Sequence, residues 1–235
     1  MSARDSILRL AAAILLYAPL DLAATGAAGD PSDAFRSTCE RELAPTQVAV
    51  SSTPGKVVKE LTKSIAELTA MQREHGPASP RRAIGLTRAE YRFNSSVRVN
   101  VLTDPETGLS CGRPRIEVTL SVAPQTVYVA REFPAGTCAY QKILEHEQRH
   151  VEVNQEHVDA AAEMLQAKMA SFYGDRIMYG DAQELIDKVF GEVENRWTKV
   201  ARRRFDESNV EHRAIDSPES YRRYRSMCGG ELSRG

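Results

Sequence analysis

The chain has 235 residues, 42% apolar and 27% charged, which is enough apolar material for a packed core and excludes a disordered or collagen-like chain. With 31 Lys and Arg against 32 Asp and Glu, the formal net charge is -1. Bulk charge therefore gives no reason to expect nucleic acid or an anionic membrane as a partner. The Arg202–Arg204 run is followed by Asp206 and Glu207 and reads as a solvated helix face.

At the N-terminus, Arg4 and Arg9 precede an uncharged stretch from Leu10 to Leu20, and small residues follow from Ala23 to Ala28. This is the pattern of a secretory signal peptide over residues 1–28, with 29–235 as one exported domain. The stretch is shorter than the roughly 20 residues that cross a bilayer, so no stable membrane insertion is expected after cleavage. The expected location is secreted or periplasmic. In that oxidising setting Cys39, Cys111, Cys138 and Cys228 should form two disulfides, and the favoured pairing is Cys111 with Cys138 and Cys39 with Cys228. A four-cysteine zinc site is disfavoured because the chain has no C-x-x-C pair.

Residues 56–74 carry Val57, Val58, Leu61, Ile65, Leu68 and Met71 at helical spacing, which predicts an amphipathic helix ended by Gly76, Pro77 and Pro80, with His75 a plain C-terminal residue. From Tyr91 to Val101 the pattern alternates as in a half-buried strand, and Asp104–Gly108 reads as a turn. Ile116, Val118 and Leu120 predict a second strand. Val127 and Val129, beyond Pro124, predict a third, antiparallel because the link is too short for a crossover. Thr137 then caps a long helix with the stripe Leu144, Val151, Val158, Leu165 and Met169, running to about Tyr173 before Gly174 stops it. A second long helix spans about Ala182 to Arg204, with Ile186, Val189, Phe190, Val193, Trp197 and Val200 inward and Gly191 tolerated inside. The expected fold is α+β, a small antiparallel sheet packed on long helices.

The first long helix contains His146, Glu147, Gln148, Arg149 and His150, an H-E-x-x-H arrangement. Four residues turn a helix through about 400°, so the two imidazoles lie about 40° apart and about 6 Å along the axis, within reach of one ion. Glu147 is rotated about 100° from His146, near enough to touch a metal-bound water without ligating, which suits a general base. Zn2+ is the expected cofactor. A catalytic zinc needs a third protein donor. His157 shares the face of the pair but lies too far along the axis, and Glu184, Glu192 and Glu194 are candidates on the next helix. His212, after that helix, is the preferred third ligand and gives a three-histidine site. Asp206 or Asp216 can orient a ligand imidazole from behind.

His146 to His150 on a helix after strands, with Phe205-Asp206 and His212 later, resembles the bacterial family of predicted secreted zinc-dependent proteases over roughly residues 90–216. Phe205 stands where that family has Tyr, and Arg213 where it has Gly. The resemblance implies a zincin-like fold and peptidase activity on a peptide or protein substrate. In zinc peptidases an edge strand pairs with extended substrate, and Gln125–Phe133 is the candidate here. Tyr140, Tyr173, Tyr179, Tyr221 and Tyr224 are candidates for holding the oxyanion. The expectation is an exported zinc metallopeptidase with Glu147 as base. The competing one is a non-catalytic zinc-binding envelope protein with a structural or partner-binding role, and a third is zinc-dependent hydrolysis of a non-peptide bond.

Overall fold

A computed structural model describes residues 30–75 and 82–233, so the expected signal peptide lies outside the described residues. In chain order the elements are α1 (Asp33–Glu42), β1 (Gln47–Thr53), β2 (Val57–Glu60), α2 (Ile65–His75), β3 (Gly85–Thr103), β4 (Ser110–Val129) and α3 (Cys138–Tyr173). They continue with β5 (Met178–Gly180), α4 (Ala182–Gly191), a π-helical turn (Glu192–Trp197), α5 (Thr198–Asp206), α6 (Ser208–Ile215), α7 (Pro218–Arg225) and a 3-10 segment (Cys228–Ser233). Among the described residues no helix is long and apolar enough to cross a membrane.

The alternating stretch becomes one arm of a long β3–β4 hairpin, closed by the expected turn. There the Asp104 carboxylate accepts from the Glu106 amide and the Thr107 hydroxyl, and Gly108 takes a positive φ of 73°. β3 pairs with β4 along one edge, antiparallel, while β5, β1 and β2 share successive lengths of the other. β1 and β2 run parallel to β4, so the sheet is mixed rather than antiparallel throughout.

Two expected elements change. The helix over 56–74 is confined to Ile65–His75, because Val57 to Glu60 pair with Gln125 to Tyr128 of β4 as a strand. Tertiary pairing there overrides a helical spacing that β-branched valines support only weakly. The two strands expected around Pro124 are one continuous strand. Proline cannot donate to the ladder, and the register slips beside it: Ala89 opposes Gln125 while Tyr91 opposes Val122. The extra residue switches the inward parity of β4. Ile116, Val118, Leu120 and Val122 are buried before the slip, and Gln125, Val127 and Val129 after it.

α3 lies across the inward face of the sheet. Val158, Ala161, Ala162, Leu165 and Met169 meet Ile116 to Val122 of β4. Val189, Val193, Trp197, Ala201 and Phe205 close this core from the other side, in steps of four residues. Each such step overshoots an α-helical turn by about 40°. The wider π turn takes back part of that drift and keeps the stripe inward. Phe190, expected inward, sits beside this stripe and is exposed.

Two disulfides are present, Cys39–Cys111 and Cys138–Cys228, which replaces the expected pairing. The first pins α1 to the start of β4. The second ties the first residue of α3 to the C-terminal segment, where Leu232 packs on Val129, Ala139, Tyr140 and Ile143. The C-terminal helices are thereby drawn over the motif.

Candidate metal centre

Thr137 caps α3 as expected, its hydroxyl accepting from the Tyr140 amide, and the helix continues without a break to Gly174. A little over two turns in, His146 and His150 are 7% and 8% exposed, with Glu147 between them at 5%. Both imidazoles point at the same carboxylate: Asp216 Oδ1 lies 3.0 Å from His146 Nε2 and 3.3 Å from His150 Nε2. One donor atom from each of the three residues lies within 4.8 Å of the others, so the group can hold a metal ion. These two separations are close to the roughly 3.3 Å edge of a tetrahedron whose donors stand about 2.0–2.1 Å from a central ion. The Asp216 side chain is 42% exposed, which leaves the cluster open to solvent on that side.

Asp216 is delivered by the two-residue link between α6 and α7. α6 ends at the buried Ile215, the Asp216 amide donates to the His212 carbonyl, and Ser217 caps α7 through the Ser220 amide. Burial works against ionisation of Asp216, yet the bonds to His146 and His150 hold its carboxyl far below the usual carboxylate range. Burial likewise opposes the charged form of His150, but the Asp216 bond and the charge of Glu147 outweigh it and raise the imidazole. The result is a site whose electrostatics favour a positive charge between the rings and the carboxylate.

Glu147 turns toward β3. Its Oε2 accepts from the Thr87 hydroxyl at 2.8 Å. Gly85 makes this approach possible, because a Cβ there would stand 2.5 Å from Glu147 Oε1. Burial pushes the Glu147 carboxyl up, against the opposing pull of His146 and His150. A glutamate raised in this way holds a proton more readily than an exposed one, which suits proton transfer near neutral pH.

His212 stands outside the three-donor group. Its Nδ1 faces His150 Nδ1 at 2.9 Å, and its Nε2 lies 3.1 Å from Asn154 Oδ1. Burial, reinforced by the charge of His150, pushes it down to about 4. His157, two turns along α3, points away to Glu211 and Arg204. Glu194 is engaged with Ser95, and neither it nor Glu184 nor Glu192 enters the group. Of the five tyrosines considered, Tyr221 and Tyr224 pack against the His146 ring, and the Tyr221 hydroxyl lies 3.3 Å from Asp216 Oδ1. Tyr173 accepts from the Trp197 indole, and Tyr179 packs by α1 at the other end of the sheet. The candidate edge strand, Gln125 onward, is interior, paired by β3 on one side and β2 on the other. β3, which carries Gly85 and Thr87, pairs with β4 alone among the described residues.

Sequence reasoning considered Asp216 only as an orienting group and Gln125 only as the start of a substrate-pairing strand, and missed Gly85, Thr87 and Asn154. Position along the chain carries no signal for any of them, since each is defined by a partner more than 25 residues away. No protein-family model, curated protein or solved structure matches the chain.

Proposed function

We propose that this chain is an exported zinc-dependent metallopeptidase of zincin-like type, with His146, His150 and Asp216 as zinc ligands and Glu147 as general base. The observation that carries the reading is the convergence of two imidazole nitrogens and one carboxylate oxygen beside a buried glutamate. Two imidazoles and a carboxylate are an established catalytic zinc set, with a fourth position left for water. When bound, zinc would supply Lewis acidity, enough to lower the pKa of water to about 7 and to polarise a carbonyl.

The chain's own groups do the rest. Glu147, held at Oε2 by Thr87, accepts the proton released as water adds to the carbonyl carbon, and returns it to the amide nitrogen as the C–N bond breaks. Tyr221 stands close enough to Asp216 to donate to an oxyanion formed beside it. An extended peptide can lie along the edge of β3 that no strand among the described residues pairs, which brings its backbone past Gly85 and Thr87. Two disulfides support folding in an oxidising compartment such as the periplasm or the extracellular space. The likeness of His146–His150 and its helical setting to secreted zinc-dependent proteases supports the same reading. Solvent access at Asp216 favours turnover over a closed structural site.

The experiment is metal analysis joined to a general protease assay. Purified protein should carry about one zinc and lose hydrolysis to a chelator. Glu147→Gln should keep the metal and lose at least about 100-fold in rate, the low end of what a positioned base contributes. Full activity in that variant rejects the assigned base, and hydrolysis that survives chelation rejects the zinc mechanism.

A further inference from the structure

We propose that His212 is a positioning residue: it holds the His150 imidazole, through a hydrogen-bond chain that begins at the β4 bulge, in the tautomer whose Nε2 lone pair faces the cation site. The inference rests on the metal reading for its consequence, though not for its geometry.

The chain starts where the register slip turns Gln125 inward, 1% exposed against α3. Gln125 Oε1 accepts from Asn154 Nδ2 at 3.0 Å, and the Tyr91 hydroxyl donates to Asn154 Oδ1 at 2.8 Å. These two bonds orient the amide so that its oxygen meets His212 Nε2 at 3.1 Å. A carbonyl oxygen only accepts, so His212 Nε2 carries the hydrogen. In neutral His212 the lone pair is then on Nδ1, 2.9 Å from His150 Nδ1, which must be the donor. In the neutral His150 ring this leaves Nε2 as a bare lone pair 3.3 Å from an Asp216 oxygen that also has only lone pairs to offer. Two acceptors at this distance call for a cation between them, a proton while the site is metal-free or a metal ion in its place. Metal-binding histidines are commonly fixed by such a partner on the far ring nitrogen.

Tyr91 stacks on Phe205 at 4.5 Å between centroids, and its hydroxyl also reaches Ser208, so the far end of the chain is anchored in the main core. The bulge, the core and the ring orientation are thus one connected network. None of its members needs to touch the ion or a substrate.

The test is long-range 1H–15N correlation spectroscopy of uniformly labelled, metal-free protein well above neutral pH, paired with zinc titration. Wild type should show His150 protonated at Nδ1 and bare at Nε2, with His212 protonated at Nε2. His212→Phe should lose the single His150 tautomer and weaken zinc binding about 10- to 100-fold. His212→Asn, whose side-chain oxygen can take the place of Nδ1, should restore the tautomer and most of the affinity. An Nε2-protonated His150 in wild type, unchanged zinc affinity in His212→Phe, or 113Cd coupling to a His212 nitrogen overturns the proposal. Wild type that shows the Nδ1-protonated ring yet takes up no zinc upholds the chain and defeats the metal reading instead.

Discussion

From Val158 to Tyr173, α3 faces inward with Val158, Ala161, Ala162, Leu165 and Met169, whereas from His146 to His157 its buried residues include His146, Glu147, His150, Asn154 and His157. The same helix crosses the same sheet, so backbone geometry cannot account for the contrast. The apolar half is satisfied by contact alone, and any side chain of suitable shape on β4 or α4–α5 serves it. Each polar group in the other half costs free energy to bury unless a specific atom meets it. Those atoms come from four separate places: Thr87 on β3, Gln125 on β4, the α5–α6 segment with Arg204, Glu211 and His212, and Asp216 beyond it. The apolar half anchors the fold, and the polar half depends on long-range assembly.

Breaking the clamp on the polar half should have the largest effect. The Cys138–Cys228 bridge spans 90 residues, and loop entropy assigns such a cross-link about 4.6 kcal/mol. Replacing both cysteines by serine should lower stability by about that amount in denaturant titration and also weaken zinc binding, because Asp216 lies on the tethered segment. An unchanged zinc affinity in a folded double variant means that the segment docks without the bridge.

Leu165→Ala, in the apolar half, should cost about 3 kcal/mol, within the usual range for a fully buried leucine. Zinc affinity measured on the folded fraction should not change. A loss of both would show that the two halves are energetically one unit.

The effect most easily reduced by solvent screening, because His212 is only half-buried, is a pH slope in the metal-free protein. His212 is pushed down to about 4 from an ordinary value of 6.5, so between those values the unfolded chain binds a proton that the folded protein refuses. The His212 contribution to stability should therefore fall as pH drops from 6.5 toward 4 and level off below, where the lowered Asp216 carboxyl takes over. Urea titrations across this range should show the slope in wild type and a shallower one in His212→Asn. Equal slopes would place the titrating group elsewhere.

What could be read in advance divides along the same line. The cap at Thr137, the stop at Gly174, the stripe through Leu165 and the adjacency of His146 and His150 all follow from periodicity within one element. Val57 and Val58 misled because a short parallel strand and a helix turn look alike over four residues, and the choice was made by β4. Pro124 signalled a strand end but marks a bulge, which is also what brings Gln125 to Asn154. The pairing of four cysteines has no local signature. Asp216 had none either: its place by the imidazoles depends on the turn between α6 and α7 and on the bridge from Cys228 to Cys138.

Cobalt(II) titration of the metal-free protein tests the three-donor site most directly, because its visible spectrum reports four-coordinate ligation apart from any activity. Wild type should bind one equivalent with the intense bands of a tetrahedral centre, and Asp216→Ala should bind at least about 10-fold more weakly, with altered bands. Absence of cobalt uptake by the folded wild type, or an Asp216→Ala spectrum and affinity identical to wild type, would contradict the assignment of His146, His150 and Asp216 as a metal site.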